Sequence, residues 1–265
     1  MSDNYRETGR NRDQRWAVGI GLMNNYARAL EGAMFLPKRF EEPPRLKGKD
    51  TPADFLAQVI REYKTTSHTP ELIYKTWQAI WNAWGEPIGH SFDVPACDRT
   101  SEQLEALRAE VRGVLLVPDE IYTKEGLALL GRIFPKMGNW SVGENTTVVN
   151  EREGEGCIDV EMTVDAPYRT DRGYMERQFL EAIAADGRKG QRLATYIVGS
   201  QFNNLLTDRF FDEGSTLSRL PGSSAEGSAL DAFFDLRGRL NVRPLLDPQF
   251  QNPLLGGRSE GVKKA

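Results

Sequence analysis

The sequence predicts an α+β protein, in which a helical N-terminal half packs with a mixed, mainly antiparallel sheet of about five or six strands in the C-terminal half. Two observations predict this class. Apolar residues recur at helical spacing through the first half, whereas from about residue 140 short runs alternate apolar and polar residues. These strand-like runs follow one another with short connections, which favours antiparallel pairing.

The chain divides into four predicted regions. Residues 1–15 are polar and carry both charge signs, which is typical of a disordered arm. Residues 16–112 form a helical region, residues 113–250 an α+β region with the mixed sheet, and residues 251–265 a flexible tail. No composition shift marks a boundary between the second and third regions, so residues 16–250 could equally form one domain.

Helix starts are the clearest local signals. Thr51 and Thr69 are each followed by proline at the first helical position and an acidic residue in the first turn. Thr100, with Gln103 three residues later, has the pattern of a capping box, and Thr123 and Thr170 are further predicted caps. An additional helix is predicted at residues 16–35 from its apolar spacing.

The second half contains the predicted strands. The runs VLLVP, TTVVN and CIDVEMTV are strand-like, and EREGEG between the last two predicts a hairpin loop. Residues 192–200 are rich in β-branched and aromatic residues and are predicted as a strand, with a helix that continues into QFNNLLTDRFF as the alternative. Residues 235–238 predict the turn of a further hairpin.

One strand concentrates the carboxylates. In residues 156–167 apolar side chains alternate with acidic ones, so Asp159, Glu161 and Asp165 are expected on the same face. Two carboxylates at this spacing could bind one Mg²⁺ together with a substrate phosphate, and these three residues are the candidate metal ligands. The alternatives are a solvated face, which is the favoured interpretation, and a ladder of cross-strand ion pairs.

Three tryptophans define a second candidate feature. Trp77, Trp81 and Trp84 lie on one face of a predicted helix, at positions i, i+4 and i+7. Such a face could stack on a ligand ring or on bases, but large aromatic residues at this spacing more often pack into a core. Core packing is therefore the favoured interpretation.

Composition limits the function classes. The 34 basic and 38 acidic residues give a net charge of −4, which argues against a dedicated nucleic-acid-binding surface. Cys97 and Cys157 are the two cysteines and lie far apart in sequence, so no disulfide framework is expected and a reducing cytoplasm is the predicted location. No apolar stretch is long enough to span a membrane.

The leading functional hypothesis is a soluble cytoplasmic binding or assembly protein without a catalytic site or cofactor, which contacts a protein partner or a second copy of itself. The first alternative is a Mg²⁺-dependent phosphoesterase or nuclease that uses the acidic strand. The second alternative is a small-ligand-binding protein with an aromatic pocket formed by the tryptophan helix. Nucleic acid is a weakly supported partner, and no membrane partner is expected.

Overall fold

The computed structural model describes residues 52–138, 147–152, 156–168, 176–244 and 253–262. Within these ranges the chain forms six α-helices and nine β-strands in two sheets, which confirms the α+β class. The nine strands outnumber the five or six expected, and two of them lie in the segment predicted as a flexible tail. The predicted arm at 1–15, the helix at 16–35 and the caps Thr51 and Thr170 lie outside the described residues.

Threonine caps begin several of the helices, as the sequence predicts. Thr69 Oγ1 accepts a hydrogen bond from the backbone N–H of Leu72, Thr100 forms the capping box with Gln103, and Thr123 caps the next helix. The helices are α1 (Pro52–Thr65), α2 (Pro70–Gly85), α3 (Ser101–Ala109), α4 (Lys124–Ile133), α5 (Glu176–Ala185) and α6 (Leu193–Thr207).

The strands form two separate sheets. They are β1 (Arg112–Leu116), β2 (Val148–Asn150), β3 (Cys157–Glu161), β4 (Lys189–Gly190), β5 (Leu217–Ala225), β6 (Ser228–Phe234), β7 (Leu240–Pro244), β8 (Leu255–Gly257) and β9 (Ser259–Val262). Sheet A has the order β1-β3-β9-β4 and is antiparallel throughout. Sheet B has the order β2-β5-β6-β7, and β8 pairs with β5 in parallel.

Two local predictions are wrong. Strands β2 and β3 do not form a hairpin, because β2 pairs with β5 of sheet B and β3 pairs with β1 and β9 of sheet A. Residues 193–200 are helical, as part of α6, rather than a strand. Every residue from 193 to 200 is buried, so the sequence shows neither the two-residue alternation of a strand nor the 3.6-residue apolar period of a surface helix. The β propensity of these residues is overridden by their burial in the core.

A single continuous hydrophobic core joins the two halves of the described chain. It extends from Tyr63 of α1 to Leu240 of β7, and α6 contacts both β1 and β5. This core therefore includes residues from both of the regions predicted at 16–112 and 113–250. No helix in the described ranges is long and apolar enough to cross a membrane.

Candidate functional site

The acidic face of β3 is covered rather than solvated. Asp159 and Glu161 are 5% and 7% exposed, while Ile158 and Val160 on the opposite face are fully buried. The prediction of a wet face is therefore wrong for these two carboxylates. The alternation in the sequence separates two faces correctly, but both faces are inside the protein.

A guanidinium group bridges the two carboxylates. Arg188, which precedes β4 and is itself buried, places Nη1 on Asp159 Oδ1 and Nη2 at 3.1 Å from Glu161 Oε1. Burial lowers the pKa of Arg188, but the carboxylates of Glu161 and Asp159 outweigh burial and raise it. Arg188 thus supplies between the two acids the positive charge that a metal ion would otherwise provide.

Strand β9 completes this first cluster. The backbone N–H of Ser259 donates to Glu161 Oε2 at 3.2 Å, and its hydroxyl donates to Glu161 Oε1. Gly261 lies opposite Asp159, and a Cβ at Gly261 would come within 2.7 Å of Arg188 Nη1. A Cβ here would force one of these groups to move, because the ion pair lies directly against the backbone of β9.

A second buried cluster surrounds Glu260 on the other face of β9. Its Oε1 lies 2.7 Å from Arg192 Nε and contacts Arg152 Nη2. Its Oε2 accepts from the backbone N–H of Arg192 at 3.1 Å and from the Thr195 hydroxyl. Glu260 therefore caps α6 at its positive end, where a carboxylate is stabilised by the helix dipole. The Arg192 guanidinium also lies 4.1 Å from the centroid of the Tyr122 ring.

A third cluster is built around Asp212. Its Oδ2 accepts hydrogen bonds from Tyr196 at 2.9 Å and from Ser218 at 2.7 Å, and Arg258 Nε lies at 3.3 Å. Burial, and then the charge of Asp212, raise the pKa of Tyr196 well above its usual value. Arg258 also stacks on the Phe211 ring at 4.1 Å. The three clusters are connected through consecutive residues of the chain. Ser259 belongs to the first cluster, Glu260 to the second and Arg258 to the third.

The third predicted metal ligand is not part of these clusters. Asp165 lies beyond the end of β3, is exposed, and accepts a hydrogen bond from Ser215. Among the described residues no group of three or more His, Cys, Asp or Glu side chains could hold a metal ion. The oxygens of Asp159 and Glu161 are instead used by Arg188 and Ser259. Of the interpretations of the acidic strand, these contacts favour ion pairing, but not as the predicted cross-strand ladder, because Arg188 lies outside the strands that pair with β3.

Helix α2, which carries the three tryptophans, covers the β1 edge of sheet A. Trp77 Nε1 donates to Val114 O at 2.8 Å and Trp81 Nε1 donates to Leu116 O at 2.7 Å, and both indoles are fully buried. Residues four apart in a helix rise about 6 Å, and residues two apart in a strand rise about 6.6 Å, so the two spacings match. The indoles thus satisfy carbonyl groups on the free edge of β1. This contact favours core packing over stacking on a ligand, and Trp84 packs edge-on against Trp81.

The cysteines and histidines reveal contacts that the sequence did not indicate. Cys97 Sγ and Cys157 Sγ lie 3.8 Å apart, although 60 positions separate them in the chain. His68 is buried, with Nε2 at 3.0 Å from Tyr63 O, and burial lowers its pKa. His90 Nε2 lies 3.0 Å from a carboxylate oxygen of Glu120. No spacing rule connects residues this far apart, so only the fold brings the two thiols together.

Comparison of the chain with protein-family models, with curated proteins and with solved structures found no match in any of the three. The contacts described above are therefore the basis for a functional assignment.

Proposed function

We propose that the chain is a binding or assembly protein without catalytic activity. The observation that carries this proposal is the bridging of Asp159 and Glu161 by Arg188, with Ser259 donating to both oxygens of Glu161. A general acid or base must reach a substrate, and a metal ligand needs free lone pairs. Carboxylates that are buried and shared with a guanidinium and a hydroxyl are suited to holding strands together instead.

The contact surface in this proposal is the hairpin formed by β6 and β7. The tip of the hairpin is ordered by Asp235, whose Oδ1 accepts from the backbone N–H groups of Arg237 at 2.8 Å and Arg239 at 3.0 Å. Leu236 at the tip is 63% exposed. A large apolar side chain that an ordered turn presents to solvent is suited to anchor a partner, because the backbone of the turn loses little conformational freedom on binding.

The charge of the hairpin suggests the chemistry of the partner. Arg237, Arg239 and Arg243 are exposed. Arg239 and Arg243 lie four positions apart in the second half of the hairpin and therefore on one face, and Arg243 is 3.7 Å from the buried Asp231. A basic, apolar-tipped hairpin complements an acidic protein surface. Because the chain has 38 acidic and 34 basic residues, a second copy of the chain could provide that surface.

Sedimentation velocity over a range of protein and salt concentrations tests the proposal, together with binding to poly-L-glutamate as a model acidic partner. We expect association that weakens with added salt, because exposed charges are screened. Substitution of both Arg239→Glu and Arg243→Glu should weaken it by about tenfold or more. Arg177→Glu is the control, since Arg177 is equally charged and 84% exposed but lies on α5. A protein that stays monomeric and does not bind poly-L-glutamate would contradict the proposal.

The alternative hypothesis, a metal-dependent hydrolase, predicts a different response of Tm to metal ions, which can be measured on the same protein. A specific site at Asp159 and Glu161 would raise Tm when Mg²⁺ or Mn²⁺ is added and lower it again with EDTA. For a binding protein with Arg188 between these acids, we expect the same Tm in all three conditions. A metal-dependent rise that Glu161→Gln abolishes would favour the hydrolase.

A further inference from the structure

One of the two thiols is partly exposed and the other is buried. Cys97 lies in the segment between α2 and α3 and is half-buried, whereas Cys157 is the first residue of β3 and is 3% exposed. Their sulfur atoms are 3.8 Å apart, which is van der Waals contact, and a disulfide requires about 2.05 Å. We propose that Cys97 and Cys157 form a reversible dithiol–disulfide site that reacts with low-molecular-weight disulfides.

The two sulfurs have different roles because their environments differ. The hydrogen bond with Cys157 lowers the pKa of Cys97 to about 7, with further contributions from the backbone and the guanidinium of Arg99. The same contact with Cys97, together with burial, raises the pKa of Cys157. At neutral pH a large fraction of Cys97 is therefore thiolate, which makes it the accessible nucleophile, while Cys157 keeps its proton.

The reaction takes place in two exchange steps. The Cys97 thiolate attacks one sulfur of the reagent, the S–S bond of the reagent breaks, and one reagent thiolate leaves. In the mixed disulfide the Cys97 sulfur no longer carries a negative charge, so Cys157 loses its proton to solvent more readily than before. The Cys157 thiolate then attacks the Cys97 sulfur and expels the second reagent thiolate. Two protein thiols are oxidised to one disulfide, and the reagent disulfide is reduced to two thiols.

The thiol site is connected to the first carboxylate cluster. Cys97 lies two residues before Arg99, and Cys157 lies two residues before Asp159. Arg99 and Asp159 form an ion pair, with Arg99 Nη2 at 3.6 Å from Asp159 Oδ2. Closing the disulfide brings the sulfurs about 1.8 Å closer together. This movement pulls the segment that carries Arg99 toward β3, so oxidation is expected to change the packing of Arg99 against Asp159.

Treatment of the reduced full-length chain with oxidised glutathione, followed by intact-mass measurement and thiol alkylation after denaturation, tests the proposal. We expect the wild type to lose both thiols without keeping an adduct and to recover them with dithiothreitol. Cys157→Ser should keep one glutathione on Cys97, because no resolving thiol remains. Cys97→Ser should react at least about tenfold more slowly, because its remaining thiol is buried.

Three outcomes would overturn the proposal. They are a wild type that keeps both thiols free, a wild type that carries two glutathione adducts, and a Cys97→Ser variant that reacts as fast as Cys157→Ser. Circular dichroism shows whether the variants fold. If either does not, the wild-type result decides alone, because an internal disulfide and a double adduct differ in mass.

Discussion

The edge contact between α2 and β1 gives the sharpest prediction for stability. Trp81 is fully buried and its indole N–H donates to Leu116 O at 2.7 Å. Substitution of Trp81→Phe keeps an aromatic ring at this position but removes the donor. The Leu116 carbonyl lies on the edge of sheet A in the hydrophobic core, so it is left without this hydrogen bond.

The cost has two parts. A buried carbonyl that loses its donor costs about 1–3 kcal/mol. The smaller ring has two fewer buried carbon atoms, which adds about 2 kcal/mol. We therefore expect the free energy of unfolding to fall by about 3–5 kcal/mol. For a domain of this size each kcal/mol corresponds to about 2–4 °C, so Tm should fall by about 6–20 °C.

Urea unfolding followed by circular dichroism measures this change without relying on tryptophan emission. Trp84→Phe is the matched control, because Trp84 belongs to the same aromatic cluster and is 5% exposed. In the described chain Val114 and Leu116 receive their indole donors from Trp77 and Trp81, so Trp84→Phe should lower the free energy of unfolding only by the loss of buried ring area, which is about 2 kcal/mol. If the two variants lose the same free energy of unfolding, the hydrogen bond from Trp81 to Leu116 does not make the contribution assigned to it.

Three further predictions concern single positions. Val111 has φ +57° and is 56% exposed, so Val111→Gly should raise the free energy of unfolding by about 1 kcal/mol in urea, and a loss would contradict backbone strain there. Burial lowers the pKa of His68 in the folded protein below its ordinary 6.5. The unfolded chain therefore binds more protons, and stability should fall as the pH drops below 6.5. His68→Gln should flatten this dependence in urea titrations at several pH values, and an unchanged slope would exclude His68 as its source. Gly261→Ala should cost about 3 kcal/mol because the added methyl group separates Asp159 from Arg188, and a loss below about 1 kcal/mol would mean that β9 shifts to accept it.

Local chemistry explains which elements the sequence could predict. The caps Thr69, Thr100 and Thr123 act on backbone groups within three residues, so their signals are complete in a short stretch of sequence. Helix α6 lacks such a signal, since its N-terminus is capped by Glu260, 68 positions away from Arg192. Its burial on all sides also removes the amphipathic pattern by which a surface helix is identified.

The same limit applies to the candidate site. The position of Asp159 and Glu161 on one face of a strand follows from their spacing, and the structure places both side chains in one cluster. The groups that cover that face cannot be predicted from the spacing. Arg188 is 29 positions from Asp159 in the chain, and Ser259 is 98 positions from Glu161. A strand that alternates apolar and acidic residues has the same sequence pattern whether its second face meets water or arginines.

The central place of β9 in sheet A has a consequence for biosynthesis. Strand β3 pairs with β9, but the ribosome must add about a hundred residues after Glu161 before Ser259 exists. At about 5–20 residues per second this takes about 5–20 s. During that interval the nascent β3 has an unpaired edge and Glu161 lacks its hydroxyl partner, and such an edge is a site for aggregation. Chaperone dependence during translation should therefore be greatest before β9 emerges, and slower translation of residues 162–258 should lower the yield of folded protein.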